Sequence, residues 1–573
     1  MSRSPNGPLA PVGTTVPASG RAAQRRRTGL APRLGFCLLA LAVAVAACST
    51  DTSNGGSGGG GDGDGTRAAG PTKGGTLTIG LDAETDGWNP TSSQWSGAAY
   101  YVAQTVFDPL VAFGADRKPH PVLAKSIEPN DDYTTWTITL RPNITFHDGS
   151  ALDAAAVKTQ LDADVASFLV GQAFKSVKDV VVVDDLTLEV NMNEPWVAFP
   201  AVLAAQGGYV AAPKQLNATG SASTDKPIGT GPYVFKEWVR DDHLTLTRNP
   251  NYWRKDVAYP ETITFRPIPD DQTRLQSIQS GDLDLTYTAV ASQILAARRD
   301  RSLALGEYDA DSLQMLMMNM AKAPVDDLRV REAIVYAVDQ QELITIVGRD
   351  LSQKATSPYA KGSPWFAESG YPTEPDLAKA RGLIDDYKKD KGISGDLSFD
   401  VGCTPTPSNK QAMTIVKTQL AKAGIAINVK YTEQATYINN ALNGDYVVNC
   451  WAQLGASDPD GDSVWWKSVN ANPPGQLALN FMRMKDPEVD AALQEGHSNP
   501  DPKARQQAYA TVWKRFAAVY PYAYFSHPHG AVIWSKDRVG GVGDAKLPDG
   551  GKPLLYGGAL PNVVPLSSVF VIS

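Results

Sequence analysis

The apolar run from Leu34 to Ala47 decides where the rest of this chain folds. It follows Arg25, Arg26, Arg27 and Arg33, is too short to span a bilayer stably, and ends in Val45-Ala46-Ala47-Cys48. A basic segment, a short apolar stretch and small residues at its end are the order of a secretory signal peptide. Residues 1–47 therefore read as a segment removed on export. After Cys48 no apolar run is long enough to cross a bilayer, so the mature body is expected to be soluble and extracytoplasmic.

Removing 47 of 573 residues leaves 526, enough for two or more domains with full cores. The removed piece holds six arginines and no acid, so the net charge moves from −8 to −14. Phosphate neutralisation needs clustered Lys and Arg, so an acidic body of this kind is not expected to bind nucleic acid. Of the four cysteines, Cys37 leaves with the signal and only Cys403 and Cys450 lie in the body beyond Cys48.

Val45-Ala46-Ala47-Cys48 resembles the bacterial lipobox, which implies that Cys48 carries lipid and becomes the new N-terminus. Residues 49–70 are Gly, Ser, Asp and Thr with almost nothing apolar, which cannot bury enough surface to order itself. They read, with Cys48, as a flexible linker. Gly55-Gly56-Ser57-Gly58-Gly59 fits a nucleophile elbow, and Gly58, Gly60 and Gly63 fit a dinucleotide fingerprint, but neither has the flanking strand and helix those motifs require.

Thr76-Leu77-Thr78-Ile79-Gly80 alternates as a strand does, and further strands are expected at 136–140, 180–183 and 186–192. A helix rich in aromatics carries Trp95, Tyr100, Tyr101 and Phe107, and Leu152, Val157, Leu161 and Val165 place another over 152–169. Later strands are expected at 397–403, 427–432 and 446–451, with a helix over 410–424. Such mixing indicates an α/β or α+β class.

Leu140 to Leu161, with Phe146-His147-Asp148-Gly149 followed by Asp153, resembles the signature of the large extracytoplasmic solute-binding proteins. These serve ABC importers of dipeptides, oligopeptides, nickel and opines. The resemblance continues through Pro227-Ile228-Gly229-Thr230-Gly231-Pro232-Tyr233, Arg248-Asn249-Pro250-Asn251-Tyr252-Trp253 and Ser280-Gly281-Asp282-Leu283-Asp284. It resumes at Asp327-Leu328-Arg329-Val330-Arg331-Glu332-Ala333, at Ala337-Val338-Asp339 and at Ala378-Lys379-Ala380 with Leu383. Asp148-Gly149 is a tight turn and Asp153 a helix cap, so His147 reads as structural rather than as a ligand.

The resemblance implies an α/β clamshell like the periplasmic binding proteins, of the large class with an extra subdomain in the first lobe. Residues 71–310 with 530–573 would form that lobe and 311–529 the second, the chain crossing near 311–320 and again near 522–533. Within the second lobe the first and third strands would be neighbours. That brings Cys403 near Cys450, either as a disulfide or as two buried thiols. The expected partners are a small-molecule or peptide ligand, an ABC permease with its ATPase, and the membrane through the lipid; a monomer is expected.

Ligands in open α/β lobes sit beyond the carboxyl ends of strands, which points to Cys403-Thr404-Pro405 and to the stretch from Cys450 through Asp460, with Trp451, Gln453 and Asp458 in it. The peptide-binding members carry an acid shortly after the Trp that grips the α-amino group. Here Gln453 and Leu454 stand at the nearest positions and the acid arrives only at Asp458. Trp88, Trp95, Tyr101, Trp238 and Trp365 complete the candidate cleft, as aromatic surfaces for stacking or, alternatively, as core. No cofactor is expected. His527 and His529 could share a strand face toward a metal, but no third ligand stands at a fitted spacing. Paired acids such as Asp131/Asp132 and Asp270/Asp271 are sequence neighbours that diverge, so no general acid/base couple is evident. A non-enzymatic receptor is the expectation, with an extracytoplasmic hydrolase or metal-dependent enzyme on the same scaffold as the alternative; a signalling co-receptor would share the same sequence.

Overall fold

Alternation at residues 76–81 builds the strand at the centre of the first sheet. In the computed structural model, which describes residues 71–572 apart from 169, 454 and 556–563, Leu77 and Ile79 are fully buried. The signal, Cys48 and the linker lie outside the described residues. Thr76–Leu81 runs parallel to Thr262–Pro267 on one side and to Leu285–Thr288 on the other. The seven strands are ordered Leu303–Asp309, His529–Ser535, Leu285–Thr288, Thr76–Leu81, Thr262–Pro267, His243–Arg248, Tyr233–Val239. The expected aromatic helix is Gly97–Val106, so Trp95 and Phe107 flank it rather than belong to it.

A four-stranded antiparallel sheet is inserted before this sheet is complete. Its order is Ala124–Pro129, Thr135–Leu140, Thr187–Met192, Val177–Asp184, and it has a core of its own that includes Trp136, Ile138, Leu188 and Trp196. The helix laid on it is Ala154–Ala166, shorter at both ends than the apolar spacing suggests. Asp153 caps it by accepting from the Ala156 amide at 2.8 Å, and Ser167 turns extended to bond the Thr91 carbonyl.

The motif blocks meet in three dimensions. Buried Asp108 accepts from the Thr230 hydroxyl (2.9 Å), the Tyr252 hydroxyl (2.9 Å) and the Trp253 indole (3.0 Å). His147 shares a hydrogen bond with the Gly231 carbonyl at 2.9 Å, so it ties one motif turn to the next. Gly229 and Gly231 pack so closely on the backbone of Val106 that a Cβ at either would collide with it.

The second sheet orders Ile425–Tyr431, Leu397–Cys403, Val448–Gln453, Leu313–Met318, Tyr522–Ser526; its first three strands are parallel and the last two antiparallel to their neighbours. Its core is drawn from residues between Leu313 and Phe525. The helix Pro407–Lys422 buries Met413, Val416 and Leu420 against the sheet, with Thr406 as cap and Pro407 in the first turn. The chain passes between the two large sheets at residues 310–312 and 527–528.

Leu397–Cys403 and Val448–Gln453 are adjacent, pairing Val401 with Val448, and Cys403 is joined to Cys450 by a disulfide with Cα atoms 5.1 Å apart. The bridge closes a separation of 47 residues, which on chain-entropy grounds corresponds to about 4 kcal/mol. Dithiothreitol is expected to lower the chemical-denaturation midpoint of the wild-type protein and to leave a Cys403→Ser/Cys450→Ser variant unmoved. Equal midpoints with and without reductant would contradict a stabilising bridge.

Candidate functional site

Trp451 sits within a strand rather than at its end. Val448–Gln453 pairs with Leu313–Met318, placing Trp451 opposite Met315 and Gln453 opposite Leu313. Its ring stacks on Tyr437 (5.2 Å, 29°) and meets Phe481 edge-on (5.3 Å, 70°). Beyond the strand the chain enters a 3-10 helix, Pro459–Trp465, capped by Asp458.

That loop carries three carboxylates: Asp460 and Asp462 are buried and Asp458 is largely so. Asp458 takes both prongs of the Arg505 guanidinium, at 2.9 and 2.7 Å, and Arg505 also lies over the Trp365 ring at 5.0 Å. Asp458 is therefore already paired within the protein. Asp462 accepts from the Gln453 amide (2.9 Å), the Ala456 backbone (2.8 Å) and the Tyr359 hydroxyl (3.0 Å). The Trp365 indole donates to the Ser457 carbonyl at 2.8 Å. Gln453, Asp458 and Trp365, three of the residues the sequence singles out, thus knit the loop into one shape.

Two cavities flank Trp451, and each has walls from both sheets' lobes. One, of about 300 Å³, is lined by Trp451, Gln453, Ser457, Asp458, Asp462, Trp465 and Phe481, and closed from the other side by Phe113, Val202 and the methyls of Ala173, Ala198, Ala201 and Ala205. The other, of about 510 Å³, is lined by Thr404, Thr406, Asn409, Gln434, Tyr437 and Cys450, with residues 289–291 across from them. Among the described residues no charged side chain lines this second cavity. Trp451 and Ala452 are shared by both, and the sizes suit a small-molecule ligand.

The remaining sequence candidates lie elsewhere. Trp88 packs on Trp238 (5.2 Å), whose indole donates to Glu84 and whose face carries Arg240 at 3.5 Å. Trp95 sits among Tyr100, Phe107 and Tyr209, and Tyr101 stacks on Tyr287 at 5.0 Å. All four belong to or pack on the core of the seven-stranded sheet. His527 and His529 do not converge. His527 is buried between the Ser312 and Ser357 carbonyls, while His529 lies between Glu307 and Asp309, each at 2.7 Å. Among the described residues no group of three or more His, Cys, Asp or Glu is placed to hold a metal. Phe113, Tyr437, Ser457, Asp462, Trp465 and Phe481 escape a reading of the sequence. Only Asp462 leaves a local signal, as the third acid of Asp458-Pro459-Asp460-Gly461-Asp462.

The remaining acid of the loop, Asp460, joins the lobes. The Trp196 indole, from the inserted sheet's core, donates to Asp460 at 2.7 Å; His497 bonds the same carboxylate at 2.9 Å and stacks on Trp196 (5.4 Å, 18°). The Val197 amide donates to the His497 carbonyl, and the Gln494 amide to Glu194. Burial pushes Asp460 upward, but His497 beside it and the indole donor outweigh this and hold the carboxyl below its ordinary range. Arg117 adds an ion pair to Asp311 at the crossing.

Comparison with known proteins places this geometry among relatives. A model of the bacterial extracellular solute-binding proteins, family 5 (Middle), matches residues 118–475. A glutathione-binding protein, GsiB, of Pectobacterium atrosepticum is 27% identical over 436 residues, covering 74% of this chain and 83% of the relative. The periplasmic binding protein DppA of Helicobacter pylori, solved with the peptide STSA, superposes with a TM-score of 0.75 at 21% identity, covering 88% of this chain and 99% of that one. The oligopeptide-binding protein AppA of Bacillus subtilis, solved with a nonapeptide, gives 0.75 at 20% identity, covering 88% and 100%. The architecture is the two-lobed periplasmic-binding-protein fold.

Replacing Trp196 by Phe keeps the ring but leaves Asp460 without the indole donor, a loss of about 1–3 kcal/mol. Small-angle scattering of Trp196→Phe is expected to show a larger radius of gyration than wild type; an unchanged radius would contradict the clasp. A carboxyl depressed in the folded state contributes stability above its unfolded value of about 4, which is lost as pH falls through the folded value. Wild-type scattering should therefore begin to expand only below pH about 4.

Proposed function

This chain belongs to the bacterial extracellular solute-binding proteins of family 5, and from that we propose that it is the substrate-binding component of an ABC importer, capturing a peptide-like solute between its lobes. One observation carries the reading: two cavities flank Trp451, and both are walled by residues from either lobe. A solute held there touches both lobes only while they meet, so binding shifts the population toward the closed arrangement. That one relative is named for glutathione and that two structural neighbours hold peptides supports the peptide-like class.

The lobes run over 71–310 with 530–573 and over 311–529; the separate core between Leu313 and Phe525 supports this division. Trp451 and Thr404 contact the solute, Gln453 and Asp458 hold the wall, and Trp365 braces it from behind. Trp88, Trp95, Tyr101 and Trp238 serve the first lobe's core. Cys48 carries the lipid that keeps this monomeric receptor at the outer face of the cell membrane. Residues 49–70 join that anchor to the body, which docks on a permease.

Calorimetry with a di- to pentapeptide library is expected to find binders whose affinity falls at least tenfold in Trp451→Ala, about 1.4 kcal/mol of lost stacking and burial. Unchanged affinity in that variant, with an unchanged circular-dichroism spectrum, would remove Trp451 from the site. A Cys48→Ala protein should leave the membrane fraction; its retention there after signal cleavage would sink the lipid anchor.

A further inference from the structure

The wall of the larger cavity beside Trp451 has a seam, and the disulfide closes it. The strand Leu397–Cys403 pairs along its whole length with Ile425–Tyr431 on one side, and Val448–Gln453 pairs along its whole length with Leu313–Met318 on the other. Between themselves these two strands pair only Val401 with Val448 and Gly402 with Asn449 among the described residues. Past those positions each carbonyl turns elsewhere: that of Cys403 accepts from the Thr432 amide at 2.9 Å and that of Cys450 from the Tyr437 hydroxyl. The Cys403–Cys450 bridge stands one residue beyond the last paired positions and spans the gap the ladder leaves.

The residues that follow each cysteine are cavity wall. Thr404 follows Cys403; its hydroxyl accepts from the Asn409 amide at 2.8 Å, Thr406 caps the helix Pro407–Lys422, and all three line the cavity. Trp451 follows Cys450 and stacks on Tyr437, and both line the cavity as well. The two cysteines differ in access. Cys450 lines the cavity and is 7% exposed, whereas Cys403 is fully buried behind it. A small thiol entering a space of about 510 Å³ therefore meets Cys450 first.

We propose that the Cys403–Cys450 bridge is a redox switch on solute capture, in which the disulfide form binds and reduction by a low-molecular-weight thiol weakens binding. The inference rests on the solute-binding reading above and adds its regulation. The reductant's thiolate attacks Cys450 Sγ, the bond to Cys403 breaks, and Cys403 leaves as a thiolate that takes a proton from water. A second reductant thiolate then attacks the reductant's sulfur in the mixed disulfide. Cys450 is released as a thiol, the reductant becomes its own disulfide, and two electrons have passed to the protein. With the bridge open, a ladder that ends at Gly402 and Asn449 no longer fixes Thr404 relative to Trp451, and binding must supply the ordering that the bridge supplied in advance. The core between Leu313 and Phe525 is built from many buried side chains besides these two, so the lobe outlasts the bridge. Coupling is reciprocal: a solute that prefers the disulfide form tenfold makes the bridge tenfold harder to reduce, about 30 mV for a two-electron couple.

The test is calorimetry on the mature protein with an equimolar, cysteine-free pool of di- to pentapeptides, before and after reduction by dithiothreitol. Reduction is expected to lower the apparent affinity tenfold or more with an unchanged circular-dichroism spectrum. Cys403→Ser/Cys450→Ser should show the lower affinity with and without dithiothreitol. Because losing the bridge also lowers stability, a second measurement starts from the oxidised wild type: a saturating pool should move the reduction midpoint about 30 mV toward more reducing potential. Equal affinity in the two redox states, or a midpoint that the pool does not move, overturns the switch and leaves solute capture intact. Loss of the folded spectrum on reduction makes the bridge a staple of the fold and also overturns the switch. Failure of the oxidised protein to bind the pool overturns capture and switch together.

Discussion

Three carboxylates within five residues of one loop are withdrawn from water, and much of the geometry of the site follows from how each is compensated. A buried carboxylate without compensation is expensive, so its partners are tightly constrained. Asp458 requires Arg505, which fixes the helix Pro502–Val519 against the loop. Asp460 requires His497 from Pro487–Ser498 and the Trp196 indole from the opposite lobe. Asp462 draws in Tyr359, Gln453 and its own loop backbone, and these set the floor of the cavity beside Trp451. One local cluster of charge thereby links helix placement, lobe contact and pocket shape.

The blocks that carry the family resemblance have a different role. Thr230, Tyr252 and Trp253 come from two of them and all bond Asp108, whose carboxyl burial pushes up against those donors. His147 from a third block bonds the Gly231 carbonyl. Thr230, Tyr252, Trp253 and His147 hold the first lobe together and line neither cavity beside Trp451. Such motifs identify a scaffold, and the solute is chosen by residues outside them.

Much of the scaffold was legible for local reasons. Alternation located Thr76–Leu81 and Leu397–Cys403, and the parallel neighbours of the second sheet put Cys403 beside Cys450. The third strand of that sheet was expected at 446–451 but runs over Val448–Gln453. Asn319 accounts for the slip: its side-chain amide takes the Gly444 and Tyr446 carbonyls, and the Tyr446 hydroxyl donates to Phe481, so this stretch is held by side chains rather than by the ladder. The shift carries Ala452 and Gln453 onto the strand and moves Trp451 from its end to its interior. The cleft itself was legible only in Trp451, Gln453, Thr404 and Asp458. An aromatic residue looks alike in a core and in a cleft until its neighbours are known, and the neighbours of this cavity stand hundreds of residues apart, as Phe113 and Phe481 do. Asp458 illustrates the same limit, because the cation that occupies it lies 47 positions away.

If the lobes close on a solute, their separation must depend on it. Val181 on the inserted sheet and Val469 on the opposite lobe are both exposed, at 45% and 79%, and accept spin labels through cysteine without touching the Cys403–Cys450 bridge. The distance distribution between labels at Val181→Cys and Val469→Cys, measured by pulsed electron resonance with and without a peptide that calorimetry shows to bind, is the most direct test. A broad or longer distribution that collapses to a single shorter one on saturation is the predicted result. A distribution that is identical in the free and the saturated protein would contradict capture between the lobes.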